Sequence, residues 1–303
     1  MLGLRLALGS IALMAVLTAS IGGLAIVDFD GSEETPTLEL TLGGDGAYWE
    51  AVANGARAAA AWRGVQLSVL EGIDPAGRAT ISIVGAGESA SCGGGELLSP
   101  HMFHVGMANY SAGRICAHYA VKHAAMGNKI IMLVDRAANS ASAARLQGFR
   151  DTLRYYEGDG QSPRSWQLEA IASDPAKQES YNLAAAQHAD AALVIDFTGG
   201  SAEALQNAFH GSARGLQPQL VTFDQSAASL AAIETGEIAA VMTHDPYLCG
   251  YQAVDRLVVC HRGDLLGQPA AGRGCIYIPG QLVERGTLAE FRSSLKVAAA
   301  ERP

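Results

Sequence analysis

Basic residues are scarce in this chain. Only 21 of the 303 residues are Lys or Arg, against 30 Asp and Glu, so the formal net charge is −9 and the pI is about 5.3. A protein that follows the phosphate backbone of a nucleic acid concentrates Lys and Arg on one surface. The composition therefore argues against nucleic acid as a partner.

The usual signatures of catalysis and cofactor binding are also missing. "GESAS" lacks the G-x-S-x-G pattern of a nucleophilic serine, and Ser, His and Asp do not follow one another in a recognisable catalytic order. "GGDG" and "VGAG" do not complete a dinucleotide fingerprint, and there is no P-loop. No cysteine spacing resembles CxxC, which argues against a zinc or thioredoxin-like site. We expect a protein that is not an enzyme and that holds no metal and no cofactor.

One long uncharged apolar run opens the chain. Residues 6–27 follow Arg5 and precede the acidic stretch "DFDGSEE". The run is long enough to span a bilayer, yet the small residues 18–20 would suit a cleavage site. Residues 1–30 are therefore either a cleaved signal peptide or a retained membrane anchor. Both alternatives place the rest of the chain in the periplasm or another extracytoplasmic compartment.

Export bears on how the five cysteines are interpreted. Cys260 and Cys275 flank a polar loop, and an oxidising compartment would permit a disulfide between them. The alternative is two thiols that do not form a bridge, because connectivity cannot be deduced from sequence. Cys92 and Cys116 form a weaker second candidate pair.

Short strand-like runs alternate with Ala-rich helical stretches after the leader. "TLELTL", "KIIMLV", "ALVIDF" and "QLVTF" are typical of strands, and "AYWEAVANGARAAAAWRG" and "SASAARLQGFRDTLRYY" of helices. Apolar strands that alternate with helices predict parallel sheets covered on both faces. The fold class is therefore α/β, and the length allows two lobes.

Polar and aromatic residues recur where the predicted strands end. In open parallel sheets, ligands bind beyond the carboxyl ends of the strands. This rule selects a set of candidate ligand-binding residues, namely Asp45, Tyr48, Trp49, Asn139, Thr198, Asp224 and His244.

Five segments in order resemble the type I periplasmic sugar-binding proteins, the ribose-binding-like group. They are "YWEAVANGARAAA", "HVGMANYSAGR", "NSASAARLQGFRDTL", "LVTFDQSAASLAAIETGEIAAVMTHDPYLCGYQAVDRL" and "IYIPGQLVERG". The resemblance implies two Rossmann-like lobes with parallel sheets, joined by three crossovers. The N-terminal lobe would comprise residues 36–107 and 245–276, and the C-terminal lobe residues 108–244 and 277–303.

The resemblance also implies roles for the candidate residues. Asp224 and His244 would bind sugar hydroxyls, Tyr48 and Trp49 would pack on the sugar ring, and Asn109 matches a crossover residue of the family. Each residue has a structural alternative as well. Asp224 could cap a helix, the two aromatic residues could pack a helix on a sheet, and His244 could be structural.

The sequence departs from the family at two places. Ala143 stands where the family has a sugar-binding Arg, and Arg145 matches a neighbouring Arg that we expect to be structural. The stretch between Gly72 and His104 is too short for the family's usual helix and strand units. We therefore expect an abbreviated N-terminal lobe.

These observations lead to two functional expectations. The first is an exported solute-binding protein that captures a carbohydrate or related polyol between its lobes and presents it to the inner-membrane permease of an ABC-type transporter. The alternative is a membrane-tethered sensor or adaptor that reports its ligand to a protein partner. The retained leader and an incomplete site would favour the alternative.

Overall fold

Two six-stranded sheets organise the part of the chain that the computed structural model describes. That part comprises residues 35–43, 46–73, 79–83, 89–92, 102–123, 129–135, 140–158, 166–212, 217–223, 226–262 and 275–300. The chain from Pro36 onward forms one compact unit. The predicted leader, residues 1–30, lies outside the described residues. None of the described helices is both long enough and apolar enough to cross a membrane.

The first sheet is mixed rather than parallel throughout. Its strands run in the order β11-β5-β4-β3-β1-β2, with β1 (Thr37–Leu42), β2 (Gln66–Ile73), β3 (Ala79–Ile83), β4 (Ser89–Cys92), β5 (Met102–Met107) and β11 (Cys275–Ile278). β1 pairs in parallel with β2 but antiparallel with β3, and β3 pairs antiparallel with β4. The pairs β4 with β5 and β5 with β11 are parallel.

One face of the first sheet carries its hydrophobic core. Leu38, Leu40 and Ile81 are buried there against two helices, α1 (Ala47–Arg63) and α7 (Pro246–His261). The intervening residues of the strands are polar or exposed, as at Thr37, Glu39, Thr41, Gln66, Ser68 and Leu70. Of the described helices, only α1 and α7 share this core. The alternation along these strands suits an arrangement with one solvent-facing side, whereas the sequence predicted strands that are apolar throughout.

The second sheet is buried on both faces. Its strand order is β12-β10-β9-β8-β6-β7, with β6 (Lys129–Asp135), β7 (Gln167–Ser173), β8 (Leu193–Asp196), β9 (Gln219–Thr222), β10 (Ala240–His244) and β12 (Gly280–Glu284). All its strand pairs are parallel except β10 with β12. Every residue of β8 and β10 is buried. Such continuous burial is typical of a parallel sheet between two helical layers.

Six helices cover the second sheet. One face packs on α2 (Asn109–His123) and α3 (Ser140–Gly158), as Phe149 and Ile130 show. The other face packs on the remaining helices, as Ile131 and Phe209 show. Those helices are α4 (Gln178–Gln187), α5 (Ala202–Ser212), α6 (Ala227–Thr235) and α8 (Leu288–Ala300).

Reciprocal glycines let the helices of two pairs approach closely. A Cβ on Gly55 of α1 would lie 1.9 Å from the Tyr247 carbonyl oxygen, and one on Gly250 of α7 would lie 2.0 Å from the Val52 carbonyl oxygen. In the pair formed by α2 and α3, Gly113 and Gly148 have the same relation to carbonyl oxygens of the partner helix. Each helix pair is therefore locked at a separation that only glycine permits.

The chain crosses between the two sheets three times, each time through one residue. Ala108 connects β5 to α2, Asp245 connects β10 to α7, and Pro279 connects β11 to β12. The predicted α/β class and the three crossovers are thus confirmed.

Candidate functional site

A contact between the two sheets lies at the crossovers. Tyr48 lies in the first turn of α1, and His244 is the last residue of β10. A hydrogen bond joins the Tyr48 hydroxyl and Nε2 of His244 over 3.2 Å, and the two ring centroids are 6.0 Å apart. His244 is 2% exposed. The structure therefore brings together two candidate residues that are 196 positions apart in sequence.

Trp49 extends this contact. Its ring meets that of Tyr48 edge to face, with centroids 4.9 Å apart and planes at 89°. Both aromatic residues are half-buried and pack against the core of the first sheet. They therefore help to pack α1 on the first sheet, and part of each residue remains exposed to solvent.

Arg145 of α3 ties the crossover residue Asn109 to the ends of two strands. Its Nε donates to Oδ1 of Asn109 over 2.8 Å, and its Nη1 donates to the carbonyl oxygen of Phe197 over 2.9 Å. The guanidinium lies 4.1 Å from the centroid of the Phe223 ring. Burial lowers the pKa of Arg145 to about 10, a value at which it remains charged at neutral pH. Arg145 thus braces the site, while Ala143 is exposed.

Thr198 follows β8 and is bonded to a buried acid, Asp196. Oδ1 of Asp196 accepts from the Thr198 amide over 2.9 Å and from the Thr198 hydroxyl over 2.6 Å. Oδ2 accepts from the Tyr181 hydroxyl over 3.0 Å. Burial raises the pKa of Asp196, against the opposing effects of these hydrogen bonds and of the positive charge on Arg145. Sequence reasoning missed Asp196 and Tyr181, although an acid inside the apolar run "ALVIDF" was a visible signal.

The arrangement suits the capture of a neutral polar molecule. Aromatic rings, an imidazole and an amide lie at the ends of strands from both sheets, where open α/β sheets bind ligands. Among the described residues there is no group of three His, Cys, Asp or Glu that could hold a metal ion.

A family profile described as "Periplasmic binding protein domain" matches residues 96–262, which is more than half of the chain. The chain belongs to this family. No curated protein matches the sequence.

Solved structures of periplasmic binding proteins share the fold. A glucose-galactose binding protein from Geobacillus stearothermophilus is 17% identical, with a TM-score of 0.58 over 80% of this chain and 94% of that one. A carbohydrate transporter from Acidothermus cellulolyticus, in complex with myo-inositol, is 17% identical, with a TM-score of 0.56 over 88% and 100%. A mutant XylFII–LytSN complex is 14% identical, with a TM-score of 0.57 over 80% of this chain and 95% of that one.

Three of the candidate residues, Asp45, Asn139 and Asp224, lie outside the described residues of this periplasmic binding protein. The residues after Asp224 nevertheless bear on its structural alternative. The Ser226 side chain accepts from the Ser229 amide and caps α6, so the helix does not need Asp224 as its cap. The Asp245 side chain caps α7 in the same way, by accepting from the Leu248 amide. This capping role explains why an acid, Asp245, stands between His244 and Pro246.

Cys116, Cys249, Cys260 and Cys275 lie in helices α2 and α7 and in strand β11. Cys260 is the penultimate residue of α7 and Cys275 begins β11, and the disulfide between them stays a prediction. Cys116 is fully buried, and burial raises the pKa of its thiol to about 12. The Cys249 thiol is also buried and donates to the carbonyl oxygen of Val105.

Proposed function

We propose that this periplasmic binding protein is an exported, non-catalytic protein that captures a carbohydrate or related polyol and presents it to an ABC-type transporter. The ligand would bind between an N-terminal lobe of residues 36–107 and 245–276 and a C-terminal lobe of residues 108–244 and 277–303. The contact between Tyr48 and His244 carries the proposal, because it joins the two sheets at the ends of their strands.

The chemistry of the site supports a sugar. The rings of Tyr48 and Trp49 offer apolar surface beside the polar Nε2 of His244, and a sugar ring combines an apolar C–H face with hydroxyl groups. Asn109 adds an amide beside the crossover. The predicted ligand residue Asp224 would accept charge-assisted hydrogen bonds from two hydroxyls, and such bonds are stronger than neutral ones.

The three one-residue crossovers support a hinged mode of capture. A ligand that contacts both lobes binds a closed arrangement more tightly than an open one, and this difference in affinity drives closure. Two of the structures with the same fold are described as a glucose-galactose binding protein and a myo-inositol complex, which is the chemical class proposed for this chain.

Thermal unfolding of the purified protein tests the proposal. A panel of monosaccharides, myo-inositol, other polyols and nucleosides is added, and a ligand of the folded state raises the melting temperature with its concentration. We expect one sugar or polyol to produce a clear shift that Trp49→Ala and His244→Ala each reduce. Trp62→Ala is the matched control, because Trp62 lies on the same helix as Trp49 and is 74% exposed. The absence of any shift with the whole panel would overturn the proposal.

The alternative is a membrane-tethered sensor or adaptor, and one observation favours it. A protein of the same fold was solved as a XylFII–LytSN complex, that is, together with a second protein. The two functions differ in the fate of the leader, residues 1–30. Intact mass of the mature protein, isolated from membrane and soluble fractions, distinguishes them. A retained leader favours the sensor, and a cleaved leader favours the transporter-linked protein.

A further inference from the structure

The turn that follows β8 is built around a buried acid. β8 consists of Leu193, Val194, Ile195 and Asp196, all of them buried, and Asp196 is 0% exposed. A buried carboxylate is costly unless it is hydrogen-bonded and its charge is balanced. Here three donors reach it, two from Thr198 and one from Tyr181, and the charge of Arg145 acts on it.

This bonding commits the Thr198 hydroxyl to the turn. The hydroxyl donates its single proton to Asp196 over 2.6 Å and accepts from the Gly200 amide over 3.1 Å. The Tyr181 hydroxyl lies 3.3 Å from the same oxygen. A hydroxyl has one donor and two acceptor sites. Little of the Thr198 hydroxyl is therefore left for a ligand, although the residue stands at a strand end.

The turn presents a backbone group instead. Gly199 is exposed, with φ +77, and its amide has no hydrogen-bond acceptor among the described residues. A Cβ at this position would lie 3.7 Å from Nη1 of Arg145 and 3.9 Å from Cβ of Phe223. Gly199 therefore lies beside the residues that brace the candidate site.

We infer that Asp196 is a positioning residue of the ligand site, which acts through Thr198 to fix the turn 197–200 so that the Gly199 amide donates to a ligand oxygen. This inference rests on the proposed function. The ligand class that suits such a donor is a neutral molecule with hydroxyl or ring oxygens.

The packing around Tyr181 supports this inference. A Cβ on Gly200 would lie 2.1 Å from the Tyr181 hydroxyl oxygen, so a glycine is needed for the phenol to reach Asp196. The end of an apolar strand would be satisfied more simply by another apolar residue, since buried charges rarely add stability over well-packed hydrophobic ones. What Asp196 provides instead is a set of hydrogen bonds that holds the turn in a single conformation.

Hydrogen exchange in the unliganded, full-length protein tests the positioning role without a ligand. The variants are Asp196→Ala and Thr198→Val, and Thr152→Val is the matched control because it removes another buried threonine hydroxyl, on α3. We expect both turn variants to speed exchange at the Gly200 amide about tenfold, because that amide donates to the Thr198 hydroxyl, whereas Thr152→Val leaves it unchanged. Asp196→Asn keeps an acceptor for Thr198, so it should restore most of the protection.

A second readout measures affinity by calorimetry for D-glucose, D-galactose, L-arabinose and myo-inositol. Asp196→Ala and Thr198→Val should weaken binding of the best compound about tenfold, which is the loss of one well-placed hydrogen bond. Unchanged exchange in the turn variants, or equal changes in Thr152→Val, would overturn the positioning role. If no compound binds the wild-type protein, the proposed function fails and the exchange result alone decides the role of Asp196. Normal affinity in a variant with a loosened turn would overturn the inference.

Discussion

The hydroxyl of Tyr48 lies 3.2 Å from Nε2 of His244, although one residue belongs to a helix of the first sheet and the other ends a strand of the second. This contact joins the two sheets beside a crossover, since Asp245 directly follows His244. A substitution at Tyr48 can therefore separate the contribution of its ring to binding from that of its hydroxyl group.

Tyr48→Phe should keep the ring and remove the hydrogen bond. Because a partly exposed hydrogen bond contributes about 1 kcal/mol net, we expect the affinity for the captured sugar to fall about fivefold. The melting temperature of the unliganded protein should fall by only a few degrees, since the bond to His244 is lost but the phenyl ring still packs on Trp49 and the core. Calorimetric titration of both proteins measures the effect, and equal affinities would show that the hydroxyl has no part in binding.

Gly55→Ala should destabilise the fold strongly. The added methyl group would lie 1.9 Å from the Tyr247 carbonyl oxygen, so α1 and α7 must separate, and overpacking of this kind costs at least about 2 kcal/mol. Gly64→Ala, at the C-cap of the same helix, is the control. It has φ +65 and no atom near its Cβ, so only the left-handed backbone is penalised, by about 1 kcal/mol. Urea unfolding compares the two, and a smaller loss at Gly55 would contradict the close approach.

Stability should depend on pH through Asp196. Burial raises the pKa of Asp196 in the folded protein, whereas in the unfolded chain this carboxyl has the ordinary pKa of about 3.9. Between these two pKa values the folded protein keeps the carboxyl proton and the unfolded chain has lost it. Across that window the folded state binds more protons, and the free energy of unfolding falls as pH rises. The destabilisation that comes from ionising the buried Asp196 is absent below this pH range and complete above it.

Asp196→Asn removes this titration. We therefore expect the melting temperature of the variant, relative to wild type, to be higher at pH 7 than at pH 4. Thermal unfolding of both proteins at the two pH values gives the comparison. A difference that is constant with pH would mean that burial does not control the ionisation of Asp196.

Cys116 should resist alkylation in the folded protein. Burial raises the pKa of its thiol to about 12, so at pH 8 the thiolate fraction is on the order of one in ten thousand, and the thiolate is the reactive form. Iodoacetamide labelling followed by peptide mass spectrometry should modify Cys116 only after denaturation. Rapid native labelling would show that α2 opens readily.

The same peptide map, without reduction, tests the predicted disulfide between Cys260 and Cys275.

The sequence predicted where helices and strands form better than it predicted whether neighbouring strands are parallel or antiparallel. "SASAARLQGFRDTLRYY" predicted a helix, and the structure has one at Ser140–Gly158. "TLELTL" was interpreted as one of several apolar strands, yet its alternation of Leu with Thr and Glu is the signature of a strand with one wet face. The antiparallel direction of β3 could not be predicted, because an apolar pattern is the same when it is read in either direction.

The candidate site shows the same division. Strand-end positions could be predicted from the order of the elements, and Tyr48, Trp49 and His244 are indeed close together. The partners of Asp196 could not be predicted, because Tyr181 belongs to helix α4 and meets the acid at the end of β8 only after that helix has packed. The placement of a single buried side chain depends on tertiary distances that a local pattern does not contain.

The three single-residue crossovers limit the mechanics of the molecule. A relative rotation of the two sheets has to be shared by the torsion angles around Ala108, Asp245 and Pro279, and the ring of Pro279 fixes one of those angles. The side chain of Asp245 is engaged in capping α7, which restrains a second joint. Ala108 is held as well, because its amide donates to the Ile278 carbonyl oxygen over 3.0 Å and its carbonyl oxygen accepts from the Ala112 amide over 2.9 Å. Each of the three joints is thus restrained by a different device: a backbone hydrogen bond between neighbouring crossovers, a helix cap and a proline ring.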